Sequence, residues 1–250
     1  MTDINNLYMK NPEIYDAFSN DRDFLKQSQS LLLFANLENS NISIIELFAG
    51  PARHSAAFRK LGYNTYSLDS SESMKEYAVK KGFQDKERYI VGHLPSSEIF
   101  KEKNRQLSVF TILRFSIGYL NKMDVRKVIS WCKGHASKGA ILVIELHKPS
   151  IISAAMNELS ICQREFETEI GSVKCRWPSR SPTWSDTNWE VSMPVEIEVE
   201  SKQYEYTSTE TIHSFKDISD LANSCNCHTE LVTKSIAGFN SDSLLAVVYL

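Results

Sequence analysis

The chain has 250 residues, 42% hydrophobic and 24% charged, with a net charge of -3 and a pI near 6.1, enough for one large domain or one domain with a sizeable insertion. The weakly acidic balance supplies no basic field for a phosphate backbone, so nucleic acid is not an expected partner. No apolar run approaches the roughly 20 residues that cross a bilayer, and the N-terminal MTDINNLYMKNPE lacks a signal-peptide core, so a cytoplasmic protein without a membrane partner is expected.

Residues 12–37 are predicted as one helix, because Tyr15, Phe18, Phe24, Leu25, Leu31, Leu32 and Phe34 recur at spacings near three and four. Turn formers at 38–42 end it. ISIIELF at 42–48 is a compact β-branched run and reads as a buried strand; AGPARHS gives a tight turn, and AAFRKLGY begins a helix. TYSL at 65–68 is a second strand ending at Asp69, SSESMKEYAVKKG a helix closed by Gly82, and YIV at 89–91 a third strand. LSVFTIL at 107–113 and AILVIEL at 140–146 are the fourth and fifth strands, around a helix at 121–136. Strict strand–helix alternation predicts a parallel sheet with helices on both faces, a doubly wound α/β fold.

The character changes after about residue 150. A short helix near 152–162 is followed by segments with strand-like alternation across 163–215, predicted as an antiparallel meander. DISDLANSC is then a helix, and TELVTKS and SLLAVVYL are strands. The expected organisation is a helical cap (1–40), a core (41–150), a helix plus β-rich insertion serving as substrate lid or dimer contact (151–215), and the last helix and two strands of the core (216–250). The cysteines at 132, 162, 175, 225 and 227 are scattered and read as free thiols; Cys225-x-Cys227 lacks a second ligand pair, so no metal site is expected.

Two motifs carry chemistry. Glu46-Leu47-Phe48-Ala49-Gly50-Pro51-Ala52-Arg53-His54-Ser55 reads as strand, tight turn and helix, bringing backbone N–H groups close to a ligand; an ordinary strand–turn–helix without a ligand is the alternative. Asp69 ends the next strand, 19 residues after Gly50, where an acid can accept both hydroxyls of a ribose. A helix cap is its plainer reading. The loop lacks the full G-x-G-x-x-G, which argues against a dinucleotide pyrophosphate.

On these residues the chain resembles the class I, seven-strand S-adenosylmethionine (SAM)-dependent methyltransferases, particularly those acting on small molecules in secondary metabolism. ELFAGPARHS is similar to that family's E-L-x-x-G-x-G/A-R-H-S loop, DSSESM to its D-x-S-x-x-M, and LSVFTILRFSIGYL to a fourth strand commonly written FDLVTCLFNSIGYL. KGAILVIEL resembles its fifth strand. The likeness runs through most of 8–148 and resumes at 205–250.

The resemblance implies a seven-stranded, mostly parallel Rossmann-like sheet, SAM as cofactor and S-adenosylhomocysteine as product. It implies that Glu46 and Gly50 sit near the methionine part, with Ala52 and Arg53 shaping the loop. Asp69 would hold the ribose, with Ser70 beside it, and Met74 and Leu94 would border the adenine. Leu113 and Arg114 would flank the amino-acid portion, and Tyr8 and Tyr15 would close the cap over the site. Departures stand at His93, where the family has a carboxylate for the adenine amine, at Ser108, and at Arg114-Phe115 in place of Phe-Asn. Arg114 could meet the SAM carboxylate, an acidic substrate, or Glu145 on the adjacent strand.

Transfer to a hydroxyl or ammonium is helped by a general base. His147 and Glu145 at the fifth strand end are the candidates, with Tyr119 and His213 behind them. Trp177, Trp184, Trp189, Tyr204 and Tyr206 of the insertion would line a lid over an organic or cationic acceptor, or form the insertion's own core or a homodimer contact. Attack on the aminocarboxypropyl arm of SAM, releasing methylthioadenosine, and a non-catalytic SAM-fold binding protein are the competing readings.

Overall fold

A computed structural model describes residues 2–35, 42–95, 107–152, 163–185 and 189–250. Two sheets organise it. The first contains β2 (Ser43–Leu47), β3 (Asn64–Asp69), β4 (Tyr89–Val91), β5 (Leu107–Ile112), β6 (Ala136–His147), β12 (His228–Val232) and β13 (Ser243–Tyr249). Its order is β12-β13-β6-β5-β2-β3-β4; β13 is antiparallel to β6 and to β12, and the other neighbours are parallel. This is the seven-stranded, mostly parallel sheet that the sequence implies.

The period of two explains the apolar runs. Ile44, Val109, Ile141, Val143, Leu245 and Val247 face one side, toward Leu31 of α3 (Phe24–Leu32) and Phe58 of α4 (Arg53–Lys60). Ile45, Phe110, Leu142, Ile144, Ala246 and Val248 face the other, toward Val128 of α6 (Lys122–Gly134) and Ile218 of α7 (Phe215–Ser224). A strand covered on both faces has no polar side, so it reads as continuous hydrophobicity. Each of the larger side chains among them contributes about 1.5–3 kcal/mol by burial.

The second sheet pairs β7 (Gln163–Thr168), β8 (Gly171–Arg176), β9 (Thr183–Ser185), β10 (Glu190–Val199) and β11 (Lys202–Thr211) antiparallel. Its far edge is completed by β1 (Thr2–Asp3), running parallel to β11. The cap helices α1 (Asn5–Lys10) and α2 (Pro12–Ser19) lie between the sheets. Ile4, Leu7, Ile14 and Phe18 pack on Val173, Val195, Ile197 and Tyr206 of the second sheet. Tyr8 and Tyr15 pack toward Ala49, Ala52, Met74 and Tyr89 of the first.

The single helix expected over 12–37 is two helices. It stops at Ser19 and restarts at Phe24, where the Asp23 side chain caps α3 by accepting from the Lys26 N–H at 3.0 Å. Apolar spacing continues across the break and hides it, while Asn20-Asp21-Arg22-Asp23 supplies the turn. Residues 149–152 begin a helical turn; the remainder of the helix expected to 162, with Cys162, lies outside the described residues, as do residues 36 and 37.

Candidate functional site

A cavity of about 940 Å3 opens where the carboxyl ends of the parallel strands meet the cap and the second sheet. Phe48 and Gly50 follow β2, Asp69 ends β3, Gly92, His93 and Leu94 follow β4, Arg114 and Phe115 follow β5, and His147 ends β6; all line it. Ligands of open α/β sheets bind at this edge. Backbone strain gathers here too: Phe48, Ala52, Arg114 and Phe115 hold φ of 55°, 61°, 55° and 60°. Left-handed non-glycine residues cost of order 1–3 kcal/mol and persist where surrounding structure imposes them.

The loop after β2 is tied down on both sides of Gly50. Gly50, at φ 49°, donates its N–H to Asp69 Oδ2 at 2.9 Å, and Tyr89 Oη donates to the Gly50 carbonyl at 2.6 Å. Ala52 is fully buried at the start of α4, so the loop retains a glycine-type backbone without the second glycine. Asp69 Oδ1 accepts from the Ser71 N–H at 2.9 Å, and Ser71 Oγ caps α5 (Glu72–Lys80) by accepting from Met74 N at 3.1 Å. Burial pushes the Asp69 carboxyl up, against the pull of the Gly50, Ser71 and Ser70 N–H groups. Asp69 is thus a half-buried carboxylate on the cavity wall, held by backbone donors and facing no cation among the described residues.

Several expected site residues sit elsewhere. Glu46 is behind the loop: Oε1 meets His54 Nδ1 at 3.0 Å, and Oε2 accepts from the Ser55 N–H and Oγ at 2.8 and 2.7 Å. Arg53 grips Asp16 of the cap through Nε and Nη2 at 2.5 and 2.7 Å. Leu113 is buried in the core cluster beside α3 and α4. None of these three lines the large cavity; with Ala49 they border a small hollow behind it. What they share is a place behind the loop, on the side of the small hollow, which a linear motif does not separate from the side facing the cavity.

Arg114 does not pair with Glu145 through its side chain. Its Nη1 donates to Asp21 Oδ1 at 2.9 Å, and only its backbone N–H reaches Glu145, at 2.6 Å. Arg164 of β7 also donates to Asp21. Glu145 is fully buried; it accepts from Arg22 Nη1 with both oxygens, at 2.8 and 2.7 Å, and from Ser243 Oγ at 2.5 Å. Burial pushes its carboxyl up, but the Arg22 charge and these hydrogen bonds hold it below the usual range. It is a saturated structural carboxylate outside the cavity lining, which argues against a base role.

His213 is likewise withdrawn: it is 3% exposed, Nε2 lies 2.7 Å from the Leu120 carbonyl oxygen, and burial holds it below the usual histidine range. His147 does face the cavity, with its ring stacked on Phe115 at 3.8 Å and 11°. Tyr119 Oη lies 2.7 Å from Tyr8 Oη, and burial, then the Glu210 charge, push its phenol far up. It is a donor at neutral pH, not a base. Of the insertion's aromatics, Trp177 and Trp184 line the cavity, Tyr206 is buried in the core under the second sheet, and Trp189 is 57% exposed. Asp21, Arg22 and Glu210 are site residues that the sequence reading passes over.

No family model matches the chain, and no curated protein matches its sequence. Its fold matches solved structures throughout. DesVI of Streptomyces venezuelae superposes with a TM-score of 0.78 at 15% identity, over 96% of this chain and 98% of that one. The SAM-bound amino pentose methyltransferase CalS10 of Micromonospora echinaspora, involved in calicheamicin biosynthesis, gives 0.73 at 13% identity, over 94% and 96%. The sugar N-methyltransferase KedS8 of a Streptoalloteichus species gives 0.71 at 16%, over 94% and 92%. The chain therefore has the Rossmann-like fold of SAM-dependent methyltransferases, second sheet and cap included.

Proposed function

We propose that the chain is a SAM-dependent methyltransferase acting on a small-molecule acceptor. The observation that carries this reading is Asp69: a desolvated carboxylate at the end of β3, clamped to the Gly50 N–H and open to the cavity. Two ribose hydroxyls are neutral donors that satisfy such a group, whereas a phosphate would be repelled by it. Met74, buried on α5, and Leu94 give the flat apolar walls that an adenine needs, and His93 faces the same space. The cavity is at the upper end of the usual ligand-pocket range, with room for a cofactor and a second molecule.

When bound, SAM supplies a methyl carbon on a sulfonium with a good leaving group. The protein's part is then to position the acceptor and exclude water. Tyr8 and Tyr15, packed edge to face at 5.0 Å, close the cap over the Gly50 loop. His147 is the accessible base, while Glu145 and Arg53 hold the cap to the sheet. The sugar methyltransferases that share the fold, one of them in calicheamicin biosynthesis, support a small acceptor and a place in secondary metabolism.

Calorimetry with S-adenosylhomocysteine and mass spectrometry after incubation with SAM and a metabolite pool test the reading. Binding together with S-adenosylhomocysteine formation is expected. Methylthioadenosine would instead indicate aminocarboxypropyl chemistry, and no binding at millimolar cofactor a non-catalytic protein. His147→Ala is expected to lower turnover and alter its pH profile; unchanged values would remove His147 as the base.

A further inference from the structure

The buried carboxylates around the cavity are nearly all answered by cations. Asp16 has Arg53, Asp21 has Arg114 and Arg164, and Glu145 has Arg22. Asp69 is answered by backbone N–H groups instead, which leaves Glu210 on β11 as the exception. It lines the cavity at 9% exposure, and no lysine or arginine among the described residues lies within ion-pair distance. Its Oε1 accepts from Ser208 Oγ at 3.1 Å, and its Oε2 lies 3.9 Å from His147 Nε2. A desolvated carboxylate with one neutral hydrogen bond is costly, and a cationic ligand would offset that cost.

The surroundings suit the same ligand. Tyr119 hydrogen-bonds with Ser208 and Tyr8, so a chain of neutral hydroxyls runs along the carboxylate. The stacked Phe115–His147 pair and the rings of Trp177 and Trp184 face the same space, and aromatic faces attract ammonium groups. An anionic acceptor would be repelled here, and a neutral hydroxyl would add one hydrogen bond to the single one from Ser208 without the backbone donors that support Asp69, whereas an ammonium meets the charge with a charge.

We infer that the acceptor is a primary or secondary amine and that Glu210 is the carboxylate that receives it; this rests on the methyltransferase reading above. The acceptor's ammonium docks on Glu210, which relays one of its protons toward His147, the base. The freed nitrogen lone pair attacks the sulfonium methyl carbon. The C–N bond forms as the C–S bond breaks, sulfur keeps the electron pair as a neutral thioether, and the methylated amine leaves as a cation. The proton relayed to His147, whose side chain is 30% exposed, passes on to solvent.

The test uses the full chain loaded with S-adenosylhomocysteine, titrated with benzylamine and with benzyl alcohol as a neutral counterpart. Benzylamine is expected to bind the wild type more tightly than the alcohol. Glu210→Gln should weaken benzylamine about 10- to 100-fold, with alcohol and cofactor affinity unchanged. With SAM, methylbenzylamine should form, and the variant should lose a similar factor in kcat/KM. If Glu210→Gln does not fold, Ser208→Ala should weaken benzylamine about fivefold. A wild type that binds the cofactor but prefers the alcohol or binds neither probe, or a variant that binds the amine unchanged, overturns the assignment and leaves the methyltransferase reading standing. Failure to bind S-adenosylhomocysteine overturns that reading itself.

Discussion

Arg22 Nη1 donates to both carboxylate oxygens of Glu145, tying the break between α2 and α3 to the end of β6 in a fully buried contact. The cap is therefore anchored by a charge pair largely withdrawn from water. Removing one partner strands the other, at a cost of about 3–5 kcal/mol. Glu145→Gln is expected to lose that much in urea unfolding at neutral pH. The Glu145 carboxyl is depressed in the folded state, so its contribution is present above the unfolded value near ~4.3 and is lost as pH falls through the folded one. The gap between variant and wild type should therefore close in acid. A variant as stable as wild type at pH 7 would sink this account.

Asp69 behaves oppositely. Its carboxyl is raised by burial, so in the empty protein its ionised form costs stability at neutral pH, and that cost is relieved as pH falls to the raised value. Ribose hydroxyls would offset the same cost, which links cofactor affinity to the charge. S-adenosylhomocysteine affinity should be flat at neutral pH and should weaken on acidification earlier than a free aspartate would dictate. Asp69→Ala should raise Kd by about 100-fold or more. Calorimetry across pH 4–8 checks both; a pH-independent Kd would contradict the ribose role.

Arg53 and Asp16 form the second anchor of the cap. The guanidinium is gripped through two hydrogen bonds, lies over the Phe24 and Phe83 rings, and shares Asp16 Oδ2 with Tyr77 Oη at 2.7 Å. Arg53→Met leaves Asp16, 3% exposed, without its counter-charge. A loss of about 3 kcal/mol is expected, with faster hydrogen exchange across residues 5–19. Exchange unchanged in that segment would show that the cap is held by its apolar contacts alone.

The sheet was readable from the sequence because its strands serve two cores, and short continuous apolar runs over 42–48, 107–113 and 140–146, bounded by turn formers, mark strands buried on both faces. Asp69 and Gly50 could be singled out from local chain geometry, a strand end and the turn between a strand and a helix, whereas Met74 was reached through the family resemblance alone. The ion pairs were not readable. Arg22 meets Glu145 across 123 positions, and Arg114 meets Asp21 across 93. Charge at a turn looks like ordinary solvated surface until the fold brings the partner. Glu210 was hidden for a related reason: on an alternating strand it resembles the exposed Glu205, and only the crossing of β11 over the turn after β5 buries it.

That crossing yields a last prediction. Gly118 sits in the turn Ser116–Tyr119, directly beneath Glu210. A β-carbon there would lie 3.2 Å from Glu210 Cβ, 3.3 Å from the Thr211 carbonyl oxygen and 3.4 Å from Glu210 Oε2. The side-chain tip can yield, but the Thr211 carbonyl belongs to β11, which is paired with β10 along its whole length. Gly118→Ala must therefore lift the strand by a few tenths of an ångström and carry Glu210 with it. Overpacking of this kind costs about 1–3 kcal/mol. Cofactor affinity should stay within about twofold, because Gly50 and Asp69 lie on other strand ends, while kcat/KM for an amine falls about tenfold. The split between the two readouts is the check. Equal losses in both would mean that the substitution disturbs the cavity as a whole, and no loss in either would mean that Glu210 is not positioned by this contact.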